Sequence, residues 1–164
     1  VADEEGNCFS VDSDRLFDMD TEVLKKIYGC KEVHLMSWES GIGDVDEVLK
    51  PIGNRRILTN TDRYVAQLES WGYQVIKLPD VPRSYRTYAN SLIVGNVVFM
   101  PTYGLDSDGE AKKVYESLGY KVIGIRSNRL SDRLNGSVHC QTMAYPKMSK
   151  EQLLNTLGLR EVSF

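Results

Sequence analysis

The sequence predicts a two-layer α/β domain, and three observations carry that expectation. A pattern recurs along the chain: an amphipathic helix, a glycine, then a short β-branched run. The glycines that end those helices, Gly29, Gly72, Gly119 and Gly158, stand 43, 47 and 39 residues apart, a spacing that suits repeated supersecondary units. The 164 residues, 41% hydrophobic and 26% charged, have the size and composition of one ordinary globular domain.

Leu24-Lys25-Lys26-Ile27-Tyr28-Gly29 leads into Val33-His34-Leu35, and Glu69-Ser70-Trp71-Gly72-Tyr73 into Val75-Ile76. Glu116-Ser117-Leu118-Gly119-Tyr120 leads into Val122-Ile123, and Leu153-Leu154-Asn155-Thr156-Leu157-Gly158 into Glu161-Val162-Ser163-Phe164. Apolar positions such as Tyr64, Val65, Leu68 and Trp71 fall on one helical face. Glycine at each helix end takes the left-handed cap conformation without a Cβ penalty, and the β-branched residues beyond it suit a buried strand. Helix starts are marked by Asp20 or Thr21, by Thr61 or Asp62, by Asp106 or Ser107, and by Ser149 with Glu151 nearby. Extra strands, Arg56-Ile57-Leu58-Thr59 and the pair Leu92-Ile93-Val94 and Val97-Val98-Phe99-Met100, precede two of the helices, with a tight turn at Gly95-Asn96. The pattern fits a propeller of ββαβ units or a doubly wound α/β sheet. The irregular stretch 79–86 predicts a surface loop, in which Arg83 and Arg86 either meet a substrate carboxylate or are solvated.

A formal charge of −3 leaves no basic footprint for a phosphate backbone, so nucleic-acid binding is not expected. No apolar run approaches the roughly 18 residues of a membrane helix. The chain opens on Val1, so the missing leader says nothing about compartment. Cys8, Cys30 and Cys140 lack metal-ligand spacing, and an odd count speaks against a closed disulfide framework, leaving at least one free thiol. Cys8 and Cys30 read as packing thiols.

Three polar clusters are candidates for chemistry. Cys140 follows the small-residue run Asn135-Gly136-Ser137, which lets backbone come close to a ligand. It reads either as a nucleophile or as a buried core thiol. Asp44 and Asp46, two apart, share one face if the segment is a strand; the alternative is a solvated Asp-rich turn. Paired carboxylates push one pKa up and suit the donor fork of a guanidinium. Asn90, in Tyr88-Ala89-Asn90-Ser91, either caps a strand start or orients a substrate or a carboxylate. His34 reads as a core or interface histidine. His139 falls on the strand face opposite Cys140 if that segment is extended, so spacing gives it no claim as the base.

Taken in order, Gly43-Asp44-Val45-Asp46-Glu47, Tyr88-Ala89-Asn90-Ser91 and Gly136-Ser137-Val138-His139-Cys140-Gln141-Thr142 resemble the peptidyl-arginine and agmatine deiminases of the guanidine-modifying pentein superfamily. Glu5-Gly6-Asn7 resembles a degenerate Gly-Gly-Asn segment of those enzymes, and Pro101-Thr102-Tyr103-Gly104 with Gly119-Tyr120 matches the run before their cysteine. The resemblance implies an α/β propeller of five units, of which this chain carries about four. Residues 1–164 then read as one domain, the C-terminal part of a pentein-type catalytic domain. It also implies that a further N-terminal segment, a second chain or an oligomer covers the exposed sheet edges.

The resemblance gives Cys140 the nucleophile's place, Asp46 that of the aspartate gripping the guanidinium, and Asn90 that of an asparagine arranging the site. His139 matches a residue preceding the nucleophile that is not the general base. Asp44 stands where the family's Gly-His-x-Asp motif has its acid–base histidine, implying a slow enzyme, a relocated acid or no turnover. The implied reaction converts a guanidinium, on agmatine or an arginine peptide, to a ureido product and ammonia through a covalent thiouronium on Cys140. It needs no metal or organic cofactor. The alternatives are a pseudoenzyme that binds an arginine-bearing peptide or partner, and an amidinotransferase.

Overall fold

The first three helix-glycine-strand repeats each fold as a crossover onto a parallel strand pair, in a computed structural model that describes residues 1–12, 21–37, 44–81, 85–142 and 149–158. Strand β1 (Asn7–Asp12) pairs in parallel with β2 (Glu32–Ser37), with α1 (Thr21–Tyr28) between them in sequence. Strands β3 (Leu49–Pro51) and β4 (Arg56–Thr59) form an antiparallel pair, and α2 (Val65–Ser70) returns the chain to β5 (Gln74–Lys77), parallel to β4. The third unit repeats the second: β6 (Leu92–Val94) and β7 (Val97–Thr102) are antiparallel, and α3 (Asp106–Ser117) leads to β8 (Lys121–Arg126), parallel to β7. Helices α4 (Asn128–Leu134) and α5 (Lys150–Leu157) follow.

The described strands make three separate sheets, ordered β1-β2, β3-β4-β5 and β6-β7-β8. Among the described residues there is thus no single doubly wound sheet, and two complete ββαβ units and one βαβ unit stand in its place. The fourth copy's strand, 161–164, lies outside the described residues.

The four marker glycines carry φ of 71°, 82°, 90° and 64°, the left-handed region that an L side chain enters at a cost of about 1–2 kcal/mol. At Gly119 this geometry lets the chain leave α3 and enter β8 with three residues between them. The hairpin turn at Gly95-Asn96 forms as expected, with Gly95 at φ 59°. Ser149 caps α5, accepting from the Gln152 backbone N–H at 3.1 Å. Helix α2 starts later than Thr61 or Asp62, at Val65.

Alternation along β4 divides the interior. Ile57 packs with Phe9, Met36, Leu49, Leu68 and Tyr73, while its neighbour Leu58 packs with Val98, Met100, Ala111 and Tyr115. Outward faces remain apolar: Ile27, Tyr28, Val94 and Ile123 are exposed. Hollows of about 520 and 300 Å³ lie against the β1-β2 unit and the β6-β7-β8 unit.

Two expectations are corrected. Cys8 and Cys30 are not packing thiols; they form a disulfide. The bridge ties β1 to the residue just past the α1 glycine, closing a loop whose cross-link contributes about 3 kcal/mol by the chain-entropy argument. Arg86 is ion-paired within the chain: its guanidinium grips Asp132 through two bonds, at 2.8 and 2.7 Å. Arg83 lies outside the described residues. His34 packs as expected, stacked on Trp71 with ring centres 4.4 Å apart. Among the described residues no helix is long and apolar enough to cross a membrane.

Candidate active site

The site is assembled from the leading segments of two successive units and the loop that follows the third. Residues 45–47 form a single 3-10 turn just before β3, and Thr87 to Ser91 immediately precede β6. The two segments hold equivalent places in their units, so the repeat itself aims both at one point. The third contribution comes after α4. Asn135 ends that helix at φ 54°, and a second 3-10 turn, His139–Gln141, follows.

Asn90 is fully buried and sits at the centre. Its Nδ2 donates to Asp46 Oδ2 at 2.9 Å and to Cys140 Sγ at 3.1 Å. Its Oδ1 accepts from the backbone N–H groups of His139 and Cys140, at 3.1 and 3.3 Å. One amide therefore ties the carboxylate turn to the thiol turn. The segment carrying it is held by tyrosines. Tyr103 Oη accepts from Thr87 N and donates to Thr87 O, and Tyr115 Oη donates to Tyr88 O at 2.9 Å.

Asp46 Oδ2 gathers three neighbours: Asn90, His139 Nδ1 at 2.8 Å and Cys140 Sγ at 3.4 Å. Burial opposes its charge, but the bonds from His139 and Cys140 outweigh burial and hold the carboxyl below the usual range. Glu47, beside it, behaves oppositely. It is 5% exposed, its Oε1 lies 3.4 Å from Cys140 Sγ, and its Oε2 is buried without a hydrogen-bond partner among the described residues. Burial, with the charges of Asp46 and Asp44 adding to it, pushes Glu47 up to about 7. Lys50, also buried, is pulled down to about 8 by burial, against the attraction of Asp46 and Cys140.

Cys140 is the free cysteine among the described residues and is exposed. Its sulfur nevertheless lies against two carboxylates, and partial burial with those charges pushes the thiol up to about 11. Gly136 is the residue that lets the loop close on it. A Cβ there would stand 2.9 Å from Cys140 Cβ and 3.1 Å from Sγ, too close for ordinary packing. The small-residue run thus makes room for Cys140 itself.

Cys140, Asp46 and Asn90 therefore meet, with the Asn90 amide bonded to both the carboxylate and the sulfur. The shared strand face expected for Asp44 and Asp46 is corrected: their segment is a 3-10 turn, with Asp44 at its extended N-cap and exposed while Asp46 is half-buried. The extended backbone expected at His139 is likewise replaced by a 3-10 turn, which brings its ring to Asp46. Glu47 and Lys50 were not singled out by spacing.

Glu47's opposed pKa gives a test of stability. The carboxyl ionises at its ordinary 4.5 in the unfolded chain and near 7 when folded. Between those values unfolding releases a proton, so stability falls as pH rises through the window. Glu47→Gln is expected to melt at a higher temperature than wild type at pH 8, with the difference growing from pH 4.5 to 7 in parallel thermal scans.

The sequence profile of the Porphyromonas-type peptidyl-arginine deiminase family matches residues 23–146. No curated protein sequence matches the chain. Among solved structures, a Porphyromonas gingivalis protein named as an arginine deiminase is similar at 24% identity and a TM-score of 0.69, over 88% of this chain and 55% of that one. A substrate-bound C. jejuni agmatine deiminase is similar at 21% identity and 0.66, over 82% and 51%. A dimethylarginine dimethylaminohydrolase is similar at 19% and 0.55, over 73% and 45%. The chain spans about half the length of these structures, and at such identities the likeness is one of fold. The family match includes Asp46, Asn90 and Cys140, and with the shared α/β fold it shows that this chain belongs to the Porphyromonas-type peptidyl-arginine deiminase family of the pentein superfamily.

Proposed function

We propose that this chain carries the thiol and cation-gripping residues of a guanidine deiminase, releasing ammonia and a ureido product. The observation that supports this reading most is the meeting of Cys140 Sγ, Asp46 Oδ2 and Asn90 Nδ2 within 3.4 Å. A carboxylate that stays charged beside a thiol suits a flat cation whose central carbon is to be attacked. The guanidinium fork donates to Asp46, and Asn90 holds carboxylate and sulfur in register. Without a cation, burial and the neighbouring carboxylates hold the Cys140 thiol up, toward its protonated form. A guanidinium placed beside them adds the positive charge that lowers the thiol toward reactivity. The attacked carbon then passes through a tetrahedral adduct to a thiouronium on Cys140, which water hydrolyses.

The thiol's position near 11 favours a second reading, in which the site binds a guanidinium group without turning it over. Incubation of the full protein with agmatine, or with an N-acetylated arginine amide, separates the two. Ammonia and ureido product in equal amounts, read by mass, are the expected result. Binding without product supports the second reading, and transfer of the amidine to an added amine identifies an amidinotransferase.

A further inference from the structure

We infer that Glu47 is the proton carrier of this reaction, taking the thiol's proton through Oε1 and delivering it to the departing nitrogen. The inference rests on the deiminase reading above and adds to it the acid–base residue that the Asp44 position leaves open. Among the described residues two acids bond the Cys140 sulfur, Asp46 and Glu47, each at 3.4 Å. Asp46 is committed, bonded also to Asn90 and His139. Glu47 has one oxygen on the sulfur and the other buried with no partner among the described residues, a carboxyl with capacity to hold a proton. Asp44, in the family histidine's position, is exposed.

The charged and titratable groups around Glu47 explain why it differs from its neighbour. Asp44 and Asp46 precede it on the same segment, Cys140 faces it from the second 3-10 turn, where His139 bonds Asp46, and Lys50 lies in the middle of β3. The phenol of Tyr103 and the α-amino group of Val1 are also within electrostatic reach of the cluster. Adjacent carboxyls pushed apart, one charged and one titrating near neutrality, divide the work of gripping a cation and moving a proton.

The steps balance. The Glu47 carboxylate takes the proton of Cys140, and the thiolate forms a C–S bond to the guanidinium carbon, giving a neutral tetrahedral adduct. Glu47 returns the proton to one amino nitrogen, the C–N bond breaks with its electron pair leaving as ammonia, and a thiouronium cation remains. Water then attacks that carbon and gives a proton to Glu47. The C–S bond breaks with its pair on sulfur, the ureido product leaves, and Glu47 reprotonates the thiolate. The remaining proton goes to ammonia.

The test compares wild type, Glu47→Gln and Glu47→Ala as full proteins with agmatine, reading ureido product across pH 5–9. Glu47→Gln is expected to lower kcat by about 10²-fold or more, the usual worth of a positioned proton donor. The wild-type kcat/KM should fall on the acid side with an inflection near 7, and that inflection should vanish in Glu47→Gln. Formate should partly restore turnover to Glu47→Ala, which also decides the matter if the Gln variant does not fold. Wild-type turnover that survives unchanged in Glu47→Gln, or an Ala variant that formate does not rescue, overturns the proposal and leaves the deiminase reading standing. A wild type that makes no product overturns both.

Discussion

Cys140→Ala is expected to bring ureido product below detection, a loss of about 10⁴-fold or more, as when a covalent nucleophile is removed from a site whose residues act as a unit. The size follows from the geometry. Asp46, Glu47 and Asn90 all address the sulfur, and each loses its reacting partner when the sulfur goes. Agmatine binding should survive the change, because Asp46 keeps its charge and its bond to His139. Calorimetry on the variant would show this. Product formed by Cys140→Ala at a rate near wild type would remove the thiol from the mechanism.

Asp46→Asn is expected to act in two opposite directions. Turnover should fall by about 10²–10³-fold, the cost of losing one preorganised electrostatic partner. Alkylation of Cys140 by iodoacetamide at pH 8 should meanwhile speed up, because the Asp46 charge is among the groups that raise the thiol. The substitution keeps the side chain's size, so a purely structural lesion would not produce that pair of results. Parallel loss of both rates would instead mean that the turn has come apart.

The fold was legible to the extent that each feature had a local cause. The helix-end glycines could be read because the backbone there takes positive φ, and all four do. The β6–β7 hairpin was legible from Gly95-Asn96 for the same reason. Strand β1 was not, because its alternation, Asn7 to Asp12, carries polar Asn7 and Ser10 among its apolar residues. Strand β3, three residues with a buried Lys50, lacks any pattern long enough to read. Nor was the Cys8–Cys30 bridge: it depends on α1 folding back so that Cys30 meets β1.

The site was legible mainly through the order of its motifs. Local reasoning left Asp44 and Asp46 on a strand or in a solvated turn and set His139 opposite Cys140 only for an extended segment; residues 45–47 and 139–141 are 3-10 turns. That geometry turned Asp44 out to solvent and brought the His139 ring to Asp46. It also brought Glu47 against the sulfur. A signal for Glu47 was present: three carboxylates within Asp44 to Glu47 cannot all stay charged if any is buried. Which of them is buried was a tertiary fact, fixed by how β3 packs beneath the turn.

The central claim is that the Cys140 sulfur faces a pocket for a flat cation, gripped by Asp46. Chloroacetamidine and chloroacetamide carry the same leaving group and differ in charge, so their relative rates of Cys140 alkylation, measured by intact mass against a free thiol, test it directly. The account predicts a preference for the amidinium at least about tenfold above the free thiol's, equivalent to about 1.4 kcal/mol, and lost in Asp46→Asn. A preference equal to the free thiol's in wild type would contradict it.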